Sequence, residues 1–159
     1  MITRTELADP ARVEAQARAI NSNAPLVRAR TRLVHLVATG GTAIEPDELI
    51  GRPVHAFCGI GNPDAFFRDL RLWGFDVIRE SAFPDHHVYR SLNFARGGSI
   101  AALVTTEKDL MNLAGLDLAG LGAPVLACAI RFELENTAVF DEVLSRCLGR
   151  FGPKTQARN

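Results

Sequence analysis

The sequence predicts an α/β fold in which a mostly parallel sheet is flanked by helices. Two observations lead there. Apolar runs of strand length, at residues 54–58, 75–78, 100–104 and 124–130, are separated by segments that carry helix-start signals. Strands alternating with helices imply parallel neighbours joined by crossovers. Several of the runs are also continuously apolar rather than alternating, as strands buried on both faces are.

The elements follow in order. Met1 and Ile2 are too few for a strand of their own. Asp9-Pro10 reads as an N-cap with proline at the first helical position, which predicts a helix over 10–20 with Val13, Ala17 and Ile20 on one face. Asn21-Ser22-Asn23 ends it. Residues 25–30 and 32–38 are extended candidates, followed by a Thr39-Gly40-Gly41-Thr42 turn and a polar connector at 45–51. From residue 52 the pattern is regular. A strand at 54–58 leads through the tight loop Gly59-Ile60-Gly61 to Asn62-Pro63, a cap and first helical residue. The helix runs to Trp73 and is stopped by Gly74. A strand at 75–78, a loop at 83–89 and at best a short helix at 91–96 come next. The strand at 100–104 ends in Thr105 or Thr106, the cap of a short helix through Leu113. A strand at 124–130 and a helix at 137–148 close the fold, the helix with Val139, Phe140, Val143, Leu144 and Cys147 at helical spacing. The polar tail at 152–159 is expected to be disordered. The expected organisation is residues 1–51 as a helix and extended connector, then 52–151 as a Rossmann-like three-layer lobe.

Composition narrows the function. Of 159 residues, 47% are apolar and 23% charged, enough for a sizeable core in one domain. Lys plus Arg number 18, as do Asp plus Glu, so there is no basic excess for a nucleic-acid partner. No apolar run approaches the roughly 18 residues of a membrane span. Thr3, Arg4, Thr5 and Glu6 interrupt any signal-peptide start. Cys58, Cys128 and Cys147 form no CxxC pair, so no zinc site of the usual spacing is expected. Cys58 and Cys128 read as buried small hydrophobes in a reducing cytoplasm.

Three motifs carry chemistry. Gly59-Ile60-Gly61-Asn62-Pro63 joins a strand to a helix, where free backbone N–H groups can hold an anion. The third glycine of a dinucleotide fingerprint is replaced by Asp64, so a plain tight turn competes with that reading. Phe83-Pro84-Asp85-His86-His87-Val88-Tyr89 follows a strand, at the carboxyl end where α/β sheets place ligands. Its carboxylate and imidazoles are acid–base groups that work near neutral pH, a metal fragment or loop hydrogen bonds being the alternatives. Neighbours in a loop are expected to point apart, so Asp85 and His86 each need an outside partner, while His87 is the one the loop can bury against Phe83 or Tyr89. Thr105-Thr106-Glu107-Lys108-Asp109 caps a helix, and its acids suit the helix dipole. Lys108, one of two lysines, is unfavourable at a helix start and is a candidate phosphate contact. No GxxxxGK(S/T) phosphate loop occurs anywhere.

In order, the strings ITRTE, AFCGIGNPDAFFRDLRLWGF, FPDHHVY and LVTTEKDLMNL resemble the C-terminal half of the tetraacyldisaccharide 4′-kinases, the lipid A kinases, over residues 1–130. The resemblance implies a two-lobed P-loop enzyme at the cytoplasmic face of the inner membrane. Such an enzyme moves the ATP γ-phosphate to the 4′-hydroxyl of a tetraacyldisaccharide 1-phosphate. Its phosphate loop, magnesium carboxylates and membrane anchor lie in an N-terminal lobe. Residues 1–51 then become the inter-lobe connector and 52–151 the C-terminal kinase lobe. The expected catalytic residues are Asp85 and His86, with His86 assisting an aspartate of the other lobe. Gly59, Gly61, Asn62, Thr106 and Lys108 are the expected nucleotide or phosphate contacts, and no metal site is expected. Two departures stand out. The stretch between Tyr89 and Thr105 is shorter than usual and holds Gly97-Gly98, and Leu110-Met111-Asn112 stands where a further lysine is common.

The function expected is therefore the C-terminal part of a lipid A 4′-kinase, inactive alone. ATP and Mg serve the complete enzyme, and neither is expected to bind this chain tightly by itself. The expected partners are an N-terminal P-loop lobe and the lipid A precursor. A cytoplasmic location and homodimerisation through an exposed sheet edge near residues 1–5 complete the expectation. The alternatives are a stand-alone module that binds a nucleotide or phosphosugar without catalysis, and an inert gene fragment.

Overall fold

A computed structural model describes residues 1–5, 9–94 and 99–149. Its strands are β1 (Ile2–Thr3), β2 (Arg28–Ala38), β3 (Ala43–Ile44), β4 (Pro53–Cys58), β5 (Asp76–Ala82), β6 (Ala102–Thr106) and β7 (Val125–Leu134). Its helices are α1 (Ala11–Ile20), α2 (Pro63–Leu72), α3 (Glu107–Asn112) and α4 (Thr137–Gly149). Strand order in the sheet is β1-β2-β7-β6-β4-β5, with β3 paired to β2. The pairs β1–β2, β4–β5, β4–β6 and β6–β7 are parallel and β2–β3 is antiparallel, so the sheet is mixed but mostly parallel, as expected.

The chain groups into two compact units, residues 1–31 with 132–159 and residues 32–131. The stretch expected to form one connector, 1–51, thus contributes to both. The tail at 152–159 lies outside the described residues.

The second unit holds the core. Along β4 the side chains alternate between two clusters: Val54, Ala56 and Cys58 face one, Phe57 the other. Ala102 and Val104 of β6 and Leu126 and Cys128 of β7 join the first, while Leu103 and Val125 join the second. That is the period of two expected for strands covered on both sides. The first cluster is roofed by Phe66, Phe67 and Leu70 of α2 and includes Leu36 and Leu49. Burying each such large side chain contributes about 1.5–3 kcal/mol. The second is roofed by Tyr89, Leu92 and Leu113. Cys58 and Cys128 are both buried, and Cys147 is exposed.

α2 begins where the sequence says it should. The Asn62 side chain accepts from the Ala65 amide at 3.2 Å, and Pro63 takes the first turn, where its missing N–H costs nothing. It ends at Gly74, whose φ of +92° is left-handed. Ser91 to Phe94 form no helix, and the remainder of the expected helix at 91–96 lies outside the described residues.

The first unit is held differently. Ile2 and Thr3 do form a short strand, against expectation, because the backbone of Arg28 and Ala29 offers a parallel partner and Val27 accepts from the Ile2 amide at 2.7 Å. Glu14 pairs with Arg28, and Glu135 takes both Arg30, at 2.7 Å, and the Thr5 hydroxyl, at 2.8 Å. Neither α1 nor α4 buries a residue. Phe140, Leu144 and Leu148, spaced four apart on α4, are 39%, 44% and 61% exposed, a stripe that the described residues leave uncovered.

Candidate functional site

Three loops leave the carboxyl ends of adjacent parallel strands in the second unit: Gly59–Asn62 after β4, residues 83–89 after β5, and the start of α3 after β6. All three sequence motifs therefore meet at one edge of the sheet. They touch through Lys108 and Asp109.

Lys108, the second residue of α3, sends its Nζ to Asp85 Oδ1 at 2.9 Å and to the Gly59 carbonyl at 3.3 Å. This accounts for a lysine at a helix start: its ammonium leaves the helix axis and bridges the two other loops. Asp109 is fully buried. Its Oδ2 accepts from the Gly59 amide at 3.1 Å and from the Thr106 hydroxyl at 2.7 Å, and its Oδ1 accepts from the Tyr89 hydroxyl at 3.1 Å. The Asp109 amide in turn donates to Thr106 Oγ1 at 3.1 Å, which makes Thr106 the cap of α3.

Asp85 and His86 sit at the solvent tip of the middle loop. Against the expectation that neighbours point apart, His86 Nε2 lies 3.7 Å from Asp85 Oδ2, an ion-pair distance too long for a hydrogen bond. Asp85 Oδ1 also accepts from the His86 amide at 2.9 Å, and the chain turns back where the His87 amide donates to the Pro84 carbonyl at 3.1 Å. His86 has a φ of +58°, and with Arg4 it is one of two non-glycine residues in the left-handed region among those described. That backbone costs about 1–2 kcal/mol and leaves the His86 side chain 83% exposed. The Lys108 ammonium, hydrogen-bonded to Asp85, holds its carboxyl below the usual carboxylate range, and the His86 amide adds to this. His87 turns inward and stacks on Phe83, ring centroids 4.7 Å apart, with Tyr89 edge-on at 4.8 Å.

Three of the groups expected to face a phosphate are engaged within the protein: the Gly59 N–H and the Thr106 hydroxyl both serve Asp109, and Lys108 holds Asp85. Asn62 caps α2 through its side-chain oxygen, which accepts. Gly61 is exposed, and a Cβ on it would sit 3.4 Å from Asp85 Oδ2. Two members of the constellation carried no functional signal in the sequence. Asp109 read as a dipole-friendly acid and Tyr89 as packing. The one available clue was the Thr106-x-x-Asp109 spacing of a capping box, whose acid reaches here across to Gly59. Burial, followed by the nearby Asp109 charge, raises the Tyr89 hydroxyl and pushes the Cys58 thiol up to about 12, so neither supplies a nucleophile near neutral pH.

Known proteins resemble this chain over most of its length. The tetraacyldisaccharide 4′-kinase of Nitrobacter hamburgensis is 44% identical over 108 residues, 64% of this chain and 32% of that protein. The one from Methylobacterium nodulans is 36% identical over 154 residues, 94% of this chain and 42% of that protein. The chain thus spans well under half the length of these relatives and corresponds to their C-terminal part. A crystal structure of LpxK from Aquifex aeolicus, described as an "apo" form in complex with ATP, shares the fold. It covers 94% of this chain and 50% of its own, with a TM-score of 0.55 at 22% identity. The family model described as tetraacyldisaccharide-1-P 4′-kinase, LpxK, matches residues 2–148, and the chain belongs to that family.

Proposed function

We propose that this chain is the acceptor-side part of a lipid A 4′-kinase, presenting Asp85 and His86 to an active site that a P-loop lobe completes. The observation that carries the reading is the Lys108–Asp85–His86 arrangement. A cation fixes the carboxylate, and a left-handed backbone turns the neighbouring imidazole outward at the carboxyl end of the sheet. An acceptor hydroxyl needs a proton acceptor within hydrogen-bond reach, and imidazole is the side chain suited to that near neutral pH. In this reading the 4′-hydroxyl of a tetraacyldisaccharide 1-phosphate lies against His86, and an aspartate of the other lobe assists.

ATP and magnesium belong to that other lobe. The Gly59 N–H, the Thr106 hydroxyl and the Lys108 ammonium already hold loops together, which supports this assignment. Phosphoryl transfer depends on positioning and electrostatic stabilisation of the phosphates, so a chain without the P-loop cradle is inactive by itself. The apolar stripe on α4 supports a partner in the same reading, since Phe140, Leu144 and Leu148 are exposed among the described residues. Work at the cytoplasmic face of the inner membrane follows from the lipid substrate. No helix among the described residues is long and apolar enough to cross a membrane.

The test is complementation. The purified chain is mixed, or fused, with a P-loop lobe from a relative, and lipid-dependent ATP turnover is measured. Turnover in the combination and none in the chain alone is the expected result. Lipid-dependent turnover by the chain alone, abolished by a substitution within it, contradicts the reading. Saturable binding of a nucleotide or phosphosugar by the chain alone, without turnover in any combination, favours a stand-alone binding module instead.

A further inference from the structure

The three loops of the site meet around one atom with little room for a substituent. A Cβ on Gly59 would lie 3.1 Å from His87 Cβ, 3.2 Å from Asp109 Oδ1 and 3.2 Å from the Tyr89 hydroxyl. The peptide groups on either side of that Cα are gripped by consecutive residues of α3. The Gly59 N–H goes to Asp109 and its carbonyl accepts from Lys108. Asp109 also receives the Tyr89 hydroxyl, at the far end of the loop that carries Asp85 and His86. Its three side-chain bonds come from three different loops, and at 0% exposure no water replaces any of them. A buried acceptor with three protein donors is costly to lose, because each donor is left unsatisfied.

We infer that Asp109 is a positioning residue. It clamps the Gly59 loop and the 83–89 loop in the register in which Lys108 reaches Asp85 and His86 is turned outward. The chain of contact is short. Asp109 fixes Gly59 and Tyr89, Gly59 fixes the Lys108 ammonium from below, and Lys108 fixes Asp85. An asparagine of the same shape keeps an oxygen for the Gly59 N–H and the Thr106 hydroxyl and turns its N–H₂ to the Tyr89 hydroxyl, but it loses the charge that strengthens these bonds. The role deepens the reading of Asp85 and His86 given above and rests on it. The test uses no turnover, so the two stand or fall separately.

The experiment is NMR of the isolated chain, following the carboxyl titration of Asp85 and hydrogen exchange of the Gly59 amide. Lys108→Ala sets the reference: with its cation gone, the Asp85 midpoint rises, while the His86 amide still holds it down. Asp109→Asn is expected to move the Asp85 midpoint toward that reference and to speed Gly59 exchange by about tenfold, as when a charge-assisted hydrogen bond becomes a neutral one. A folded Asp109→Asn chain with the wild-type Asp85 midpoint and unchanged Gly59 exchange overturns the assignment. Tyr89→Phe covers the case in which Asp109→Asn does not fold, because it keeps the ring's packing and removes a single donor. A raised Asp85 midpoint in Tyr89→Phe supports the clamp, and an unmoved one overturns it.

Discussion

Gly59 separates two kinds of glycine requirement. Its backbone is not left-handed, so a side chain is excluded by neighbours rather than by φ. The nearest is His87 Cβ at 3.1 Å, so a methyl group there needs the neighbouring loop to give by a few tenths of an ångström. Gly59→Ala is therefore expected to destabilise the chain by about 1–3 kcal/mol, as overpacking does. A urea titration reads this directly, and a variant within about 0.5 kcal/mol of the parent shows that the loops give more easily than drawn here. His55 supplies a pH-dependent counterpart. It is buried on β4, shares a 2.9 Å hydrogen bond with Ser81 Oγ and packs its ring edge-on against Phe94. Burial, and then the charge of Arg79, lower its pKa below the usual 6.5. The folded state thus binds fewer protons than the unfolded one below that value. Stability from this group is fully present above about 6.5 and declines as the pH falls through the window beneath it. Asp85, Glu14 and Glu135 also have lowered values and act in the same direction, but only in the acid range of carboxylates. Comparing unfolding at pH 7.5 and 5.5 in the parent and in His55→Gln isolates the imidazole. The expected outcome is a smaller pH dependence in the variant, and equal slopes would mean that His55 does not carry it.

The helices show how burial, rather than periodicity, decides what an element is worth. α2 and α4 both have apolar residues at helical spacing, yet α2 buries Phe66, Phe67 and Leu70 whereas α4 buries nothing. Leu70→Ala should cost about 2–5 kcal/mol, and Leu144→Ala in the isolated chain should stay within about 0.5 kcal/mol. Thermal or urea unfolding of the two variants settles the contrast. A large loss in Leu144→Ala would show that α4 is packed after all. The same elements show what can be read from sequence. The start and stop of α2 were legible because Asn62, Pro63 and Gly74 act locally. β2 read as two pieces because its inward residues, Ala29 and Thr31, are small or polar, and its outward ones are arginines at 30 and 32. β5 and β7 outran their apolar runs for a related reason. β5 alternates exposed and half-buried positions at the sheet edge, and β7 continues through exposed residues 130–133. Continuous hydrophobicity marks a strand only where both of its faces are covered.

At the scale of the molecule, the sequence made the convergence of the three motifs legible, since a parallel sheet puts every strand's carboxyl end on one side. The contacts within the convergence were not legible. The bond from Asp109 to Gly59 spans fifty positions, and that from Lys108 to Asp85 spans 23. Nothing local in the chain announces either. Two features face outward among the described residues, the exposed His86 at the loop tip and the exposed stripe of α4. A lobe that carries the phosphate loop would give both a partner. The most direct measurement of that account is turnover by the chain fused to a P-loop lobe, with His86 and with His86→Ala, and with melting curves alongside. A positioned general base is worth about 10²–10⁴-fold. The account predicts a kcat reduced by at least the lower figure and a melting temperature unchanged, because His86 is exposed and supports no core residue. An active fusion whose turnover falls only a few-fold on replacing His86 contradicts it and makes the 83–89 loop a structural brace.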